Sequence, residues 1–132
     1  METKPVTDEN KITKAIAAII QETQNGRLVW KAADPPSELT KGTEDIVEIV
    51  YYADRHERLL RLFPFKTKYY TDEDVWTWVD DLALEVSDES RSAWWRFPQH
   101  RIITDLLEAV RFKTVGVDKF IDSVLSGEEP FG

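Results

Sequence analysis

Cysteine is absent from all 132 residues, which excludes disulfides, a thiolate nucleophile and cysteine-ligated zinc. Glycine is scarce and scattered. Gly26, Gly42, Gly116, Gly127 and Gly132 are too far apart for a P-loop or a dinucleotide fingerprint. Histidine occurs only as His56 and His100. The first lies beside a basic turn and the second at a helix entrance, so both read as solvated residues, and no G-x-S-x-G nucleophile elbow exists. No apolar run approaches the roughly 18–20 residues that cross a bilayer. Residues 1–8 lack the apolar core of a signal peptide. These absences lead to the expectation of a non-enzymatic protein with no cofactor and no bound metal, cytoplasmic by default.

The length fits one domain with a real core. With 42% hydrophobic and 32% charged residues, the chain has the composition of a globular domain. It is expected to fold as a single domain over 1–132, with residues 1–7 and 128–132 as frayed tails. Charge is the informative property. Residues 71–90 hold eight of the chain's 25 acids and no base; the other 17 acids match its 17 Lys and Arg, so the net charge of −8 comes from this stretch. Basic segments flank it. Arg55, Arg58, Arg61, Lys66 and Lys68 precede it, and Arg91, Arg96, Arg101, Arg111 and Lys113 follow. Cross-strand pairing inside a sheet accounts for that pattern. An acidic chain is a poor general binder of nucleic acid, which requires basic surface, or of anionic membranes.

Hydrophobic periodicity supplies the fold. Ile12, Ala15, Ile16, Ile19 and Ile20 predict a helix over 8–24, capped by Thr7 or Asp8 and stopped at Asn25-Gly26. Strands are predicted at 27–31, 44–53 and 57–63; Pro64 bends or ends the third or marks it as an edge, with Phe65 through Tyr70 a candidate for its resumption. Residues 71–81 read either way. Thr71 with Asp72, Glu73 and Asp74 resembles a capped helix start, whereas Val75-Trp76-Thr77-Trp78-Val79 favours a strand; the reading taken is a short helix or irregular excursion. Strands at 82–86 and 92–97, joined by a turn at 88–91, set Leu84 opposite Trp95 and send Trp95 and Phe97 to the core with Leu82 and Leu84. Trp94 goes to the face of Glu85 and Arg96. Pro98 opens a helix carrying Ile102, Ile103, Leu106, Leu107 and Val110; after Gly116 a second stripe follows at Val117, Phe120, Ile121, Val124 and Leu125. The expected class is α+β: an N-terminal helix, an antiparallel meander of about four to five strands, and two C-terminal helices packed on the sheet.

Several of these segments together resemble a group of small bacterial helix–β-meander–helix proteins of unknown function. They are Asn25-Gly26-Arg27-Leu28-Val29-Trp30, Leu84-Glu85-Val86-Ser87-Asp88, Trp95-Arg96-Phe97-Pro98, and the run from Asp105 to Ile121. The resemblance implies the fold over most of the chain and transfers no catalytic or binding residue.

Eleven of the fifteen aromatics lie between Tyr51 and Phe97. Neighbouring aromatics on a strand point to opposite faces, so either a second layer of helices covers one face or some aromatics stay exposed as binding hot spots. The candidate surface is Trp76, Trp78, Glu85 and Trp94, docking a protein partner, expected to be basic. An immunity-type inhibitor or a chaperone would fit. One alternative is a metal-dependent hydrolase using Asp72, Asp74, Asp80, Asp81 and Glu85, although no EF-hand spacing is present. Another is a DNA mimic, whose carboxylates copy phosphates. A homodimer would form through a sheet edge or the aromatic surface.

Overall fold

A computed structural model describes residues 8–127; the expected tails at 1–7 and 128–132 lie outside the described residues. The architecture is α+β. Helix α1 (Glu9–Gln24) precedes strands β1 (Trp30–Ala33), β2 (Val50–Arg55), β3 (Arg58–Asp72), β4 (Val75–Ser87) and β5 (Trp94–Arg96), and helices α2 (Ile102–Val115) and α3 (Val117–Ser126) follow. The strands form one antiparallel sheet in sequential order, β1-β2-β3-β4-β5.

Asp8 caps α1, its carboxylate accepting from the backbone N–H groups of Asn10 and Lys11. At the far end Gly26 turns left-handed at φ 81°. The chain then reverses so that Trp30 donates its indole N–H to Thr23 Oγ1 at 2.9 Å, while Thr23 donates to the Ile19 carbonyl. This buried relay satisfies the polar atoms of both side chains and locks α1 to β1. Its partner at the sheet is an ion pair between Glu22 and Arg55, bidentate at 2.6 and 2.7 Å.

Helices α1 and α2 cover one face of the sheet. Ile16, Ile19, Leu106 and Val110 from the helices meet Trp30, Tyr51, Leu60, Leu62 and Leu84 from the strands. Of the two C-terminal helices, α2 lies over the sheet, while α3 makes its principal contacts with α2. The opposite face has a smaller core of Val47, Val50, Phe63, Phe65 and Ala83. Its cover is not the layer of helices weighed from sequence. The connection from β1 to β2 does this work, with Leu39 from a short 3-10 turn (Ser37–Leu39) and Val47 packing there.

Three sequence expectations need correction. Residues 71–81 are not a helix: they complete β3, turn at Glu73-Asp74 and begin β4. The third strand continues through Pro64 and the resumption candidate Phe65–Tyr70, and it extends further, to Asp72. Pro64 is tolerated because residues 47–49 leave the ladder beside it. Between the pairs Tyr51–Leu62 and Ile46–Lys66 the neighbouring strand has one extra residue, a bulge opposite the missing proline N–H. Third, α2 begins at Ile102 rather than at Pro98, after a turn in which His100 Nδ1 accepts from the Ile102 N–H. The β4–β5 register is offset by two residues from the expectation, with Glu85 opposite Arg96 and Val86 opposite Trp95. A two-residue shift preserves side-chain parity, so Trp95 and Trp94 keep the expected sides of the sheet. Trp95 is nevertheless 43% exposed rather than in the core; of Trp95 and Phe97, only Phe97 packs against the core.

Candidate functional site: an acidic aromatic arm

Strands β3 and β4 pair along their whole length, from Leu60–Val86 to Asp72–Val75, but their neighbours stop early. Strand β2 begins at Val50, with one further bridge from Ile46 to Lys66, and β5 covers only Glu85 to Ser87. From Lys66 to Asp81 the pair continues as a two-stranded arm, reaching about 20 Å at the usual rise per residue. Every residue from Tyr69 to Asp80 is exposed.

Alternation divides the arm into two faces. Leu62, Lys66, Lys68 and Tyr70 share the helix side with Leu84, Asp80, Trp78 and Trp76. Trp76 and Trp78 are each 45% exposed. The Lys68 ammonium lies 4.2 Å from the Trp76 ring centroid and 5.6 Å from that of Trp78, a cation–π contact that holds both indoles side by side. Tyr70 packs against Trp76 with centroids 6.0 Å apart. Glu44 ties the base of this ladder to the β1–β2 connection by accepting from the Tyr70 hydroxyl and facing Lys68 at 3.7 Å. That hydrogen bond raises the Tyr70 pKa above its ordinary value, because ionisation would set a phenolate against a carboxylate.

The acidic run separates into parts with different work. Glu85 is 6% exposed and paired twice, to Arg61 Nε at 2.6 Å and to Arg96 Nε at 2.8 Å. Arg61 also reaches Glu38 at 2.6 Å, and the Trp94 ring lies 3.8 Å from its guanidinium carbon. Asp88 organises the β4–β5 connection. It accepts from the backbone N–H groups of Ala93 and Ser92 and from the Ser90 hydroxyl, and these bonds hold its carboxyl below the usual carboxylate range. Glu89 faces Arg58. Asp72, Glu73, Asp74, Asp80 and Asp81 remain, all on the arm, and among the described residues they form no ion pair.

Comparisons with protein-family models, curated proteins and solved structures found no match for this chain. The site is therefore defined by geometry alone.

The four residues singled out from sequence do not form one surface. Trp76 and Trp78 stand together on the helix side of the arm. Glu85 and Trp94 lie on the opposite face, inside an ionic and stacking cluster that pins β5 and the 3-10 turn to the sheet. Period-two alternation separates them, since even-numbered β4 positions share the side of Leu84 and Glu85 is odd. Sequence reading also missed Lys68 and Tyr70. The signal was present in the alternation Lys66, Lys68, Tyr70 against Trp76, Trp78, Asp80, hidden because the Glu73-Asp74 turn lacks the Asn-Gly type of hairpin signature. The carboxylates proposed for metal chemistry are dispersed: Asp72 and Asp74 at the tip, Asp80 and Asp81 on opposite faces, Glu85 at the core. Among the described residues no group of three or more His, Asp or Glu side chains is arranged to hold a metal ion.

Proposed function

We propose that this chain is a non-enzymatic protein-binding module whose working surface is the β3–β4 arm. The observation that carries this reading is the exposure of Tyr70, Trp76 and Trp78 side by side on an arm that also holds five carboxylates without an ion pair among the described residues. Exposed tryptophans lose about 1 kcal/mol or less when removed from a folded chain but dominate the energetics of interfaces. The carboxylates select a basic partner and speed its approach. An immunity-type inhibitor of a basic protein, or a chaperone that holds a basic segment, would use such an arm. The aromatic ladder supplies affinity and the tip supplies steering.

The test compares proteins retained from a native lysate by the tagged wild type and by Trp76→Ala/Trp78→Ala. The expected partner is basic, is lost from the double variant, and binds more slowly as ionic strength rises toward about 1 M, where the Debye length is about 3 Å. A Trp94→Ala variant probes the opposite face; equal recovery by the arm variant together with loss through Trp94→Ala would move the surface there and refute the assignment.

A further inference from the structure

Helix α3 carries an apolar stripe that the described residues leave uncovered. Val117, Phe120, Ile121, Val124 and Leu125 recur at helical spacing, yet no residue of α3 is buried. Leu125 is 80% exposed and Phe120 66%, and Phe112 and Val115 extend the exposed apolar surface onto the end of α2. Among the described residues the helix side of the sheet is already occupied by α1 and α2, and the groove between those two helices mixes Ile20, Ala109 and Phe112 with the charged Asp105, Glu108 and Lys113.

We propose that a second copy of this chain covers α3, the two stripes packing antiparallel about a twofold axis near Ile121. Area supports this occupant. The exposed apolar surface of α3 with Phe112 and Val115 is on the order of 600 Å² per copy, so the pair would bury about 1,200 Å², the lower bound for specific interfaces. Charge placement supports it too. At 100° per residue Lys119, Asp122 and Ser126 point away from the stripe. Asp118 sits at its N-terminal rim, where an antiparallel partner presents its uncharged Val124-Leu125-Ser126 end. Arm-to-arm contact would instead set five carboxylates against five. The dimer therefore does not form through the aromatic surface, and each copy keeps its arm open. Two arms per assembly would raise avidity for a partner with repeated sites.

Sedimentation equilibrium on the full chain tests this. The wild type and Trp76→Ala/Trp78→Ala are expected at twice the 15.3 kDa of one chain, and Phe120→Ser/Leu125→Ser at the mass of one, with an unchanged far-ultraviolet spectrum. Because the chain has no native cysteine, Ile121→Cys should form an interchain disulfide on mild oxidation and Lys119→Cys should not. The proposal is overturned by a wild type that stays at one-chain mass at about 100 µM, by a serine variant that remains dimeric, or by a monomeric Trp76→Ala/Trp78→Ala variant.

Discussion

From Arg58 to Phe65 and from Leu82 to Ser87, the β3–β4 ribbon lies between two layers, helices on one side and the β1–β2 connection on the other. From Lys66 to Asp81 the same two strands lose most of that cover: every residue from Tyr69 to Asp80 is exposed, and Glu44 reaches in to Tyr70 and Lys68. The outer half is the more polar, with seven charged residues in 66–81 against three in 58–65 and 82–87. It nevertheless exposes Tyr69, Tyr70, Val75, Trp76, Trp78 and Val79, while the inner half buries the ion pair Arg61–Glu85 almost wholly. What differs is the supply of neighbouring strands: β2 begins at Val50 and β5 pairs with Glu85 to Ser87, so beyond the Ile46–Lys66 bridge β3 and β4 pair with each other alone among the described residues. Aromatics left outside after the core is complete are available to a partner, and charges taken inside are committed to the fold.

The comparison breaks most visibly at Glu85. Glu85→Ala leaves the Arg61 guanidinium, itself 4% exposed, without its main partner, and should cost about 3–5 kcal/mol in urea unfolding. A loss below about 1 kcal/mol would show that water reaches this cluster. Leu84→Ala, at a fully buried position, should cost about 3 kcal/mol through lost transfer energy and a residual cavity. The turn joining β2 to β3 offers a gain of opposite sign. His56 and Glu57 adopt φ of 49° and 68°, a left-handed pair suited to Asn-Gly. His56→Asn/Glu57→Gly should therefore stabilise by about 1 kcal/mol.

Smaller still is the Glu22–Arg55 pair. Hydrogen bonding to Arg55 holds the Glu22 carboxyl below its ordinary 4.5, so its stabilisation is present above the unfolded value and disappears as pH falls through the folded one. The pair is partly exposed, so Glu22→Gln should cost about 0.5 kcal/mol at neutral pH and nothing in acid. A constant cost across the acid limb of a pH–stability profile would place the effect elsewhere. The smallest change is expected in the arm: Trp76→Ala/Trp78→Ala should alter stability by about 0.5 kcal/mol or less, the range for surface positions.

Much of the fold is legible along the chain. The isoleucine spacing of α1, the Asn25-Gly26 stop, the stripes of α2 and α3 and the parity of Trp94 against Trp95 each follow from local periodicity. The arm was not legible because its two signals conflict. Asp72, Glu73 and Asp74 after Thr71 satisfy helix capping, and only pairing with Lys66 to Tyr70, which is not local, decides for a strand. Pro64 left the course of the third strand open for the same reason, since the bulge that excuses its missing donor lies in another strand. The candidate site was half legible: Trp76 and Trp78 follow from composition, while the burial of Glu85 depends on Arg61, Arg96 and Glu38 arriving from three separate elements.

The central claim is that the arm is dispensable for folding and required for binding. Replacing Lys68–Trp78 by Asn-Gly isolates it. The shortened ribbon closes on Thr67 and Val79, a hydrogen-bonded pair because Lys66 directs its own N–H and C=O to Ile46. The decisive measurement is quantitative capture from one lysate by the wild type and by this shortened chain, both confirmed as folded by cooperative melting. The account predicts a basic protein retained saturably by the wild type and absent from the shortened chain. Equal retention of that protein by both would contradict it.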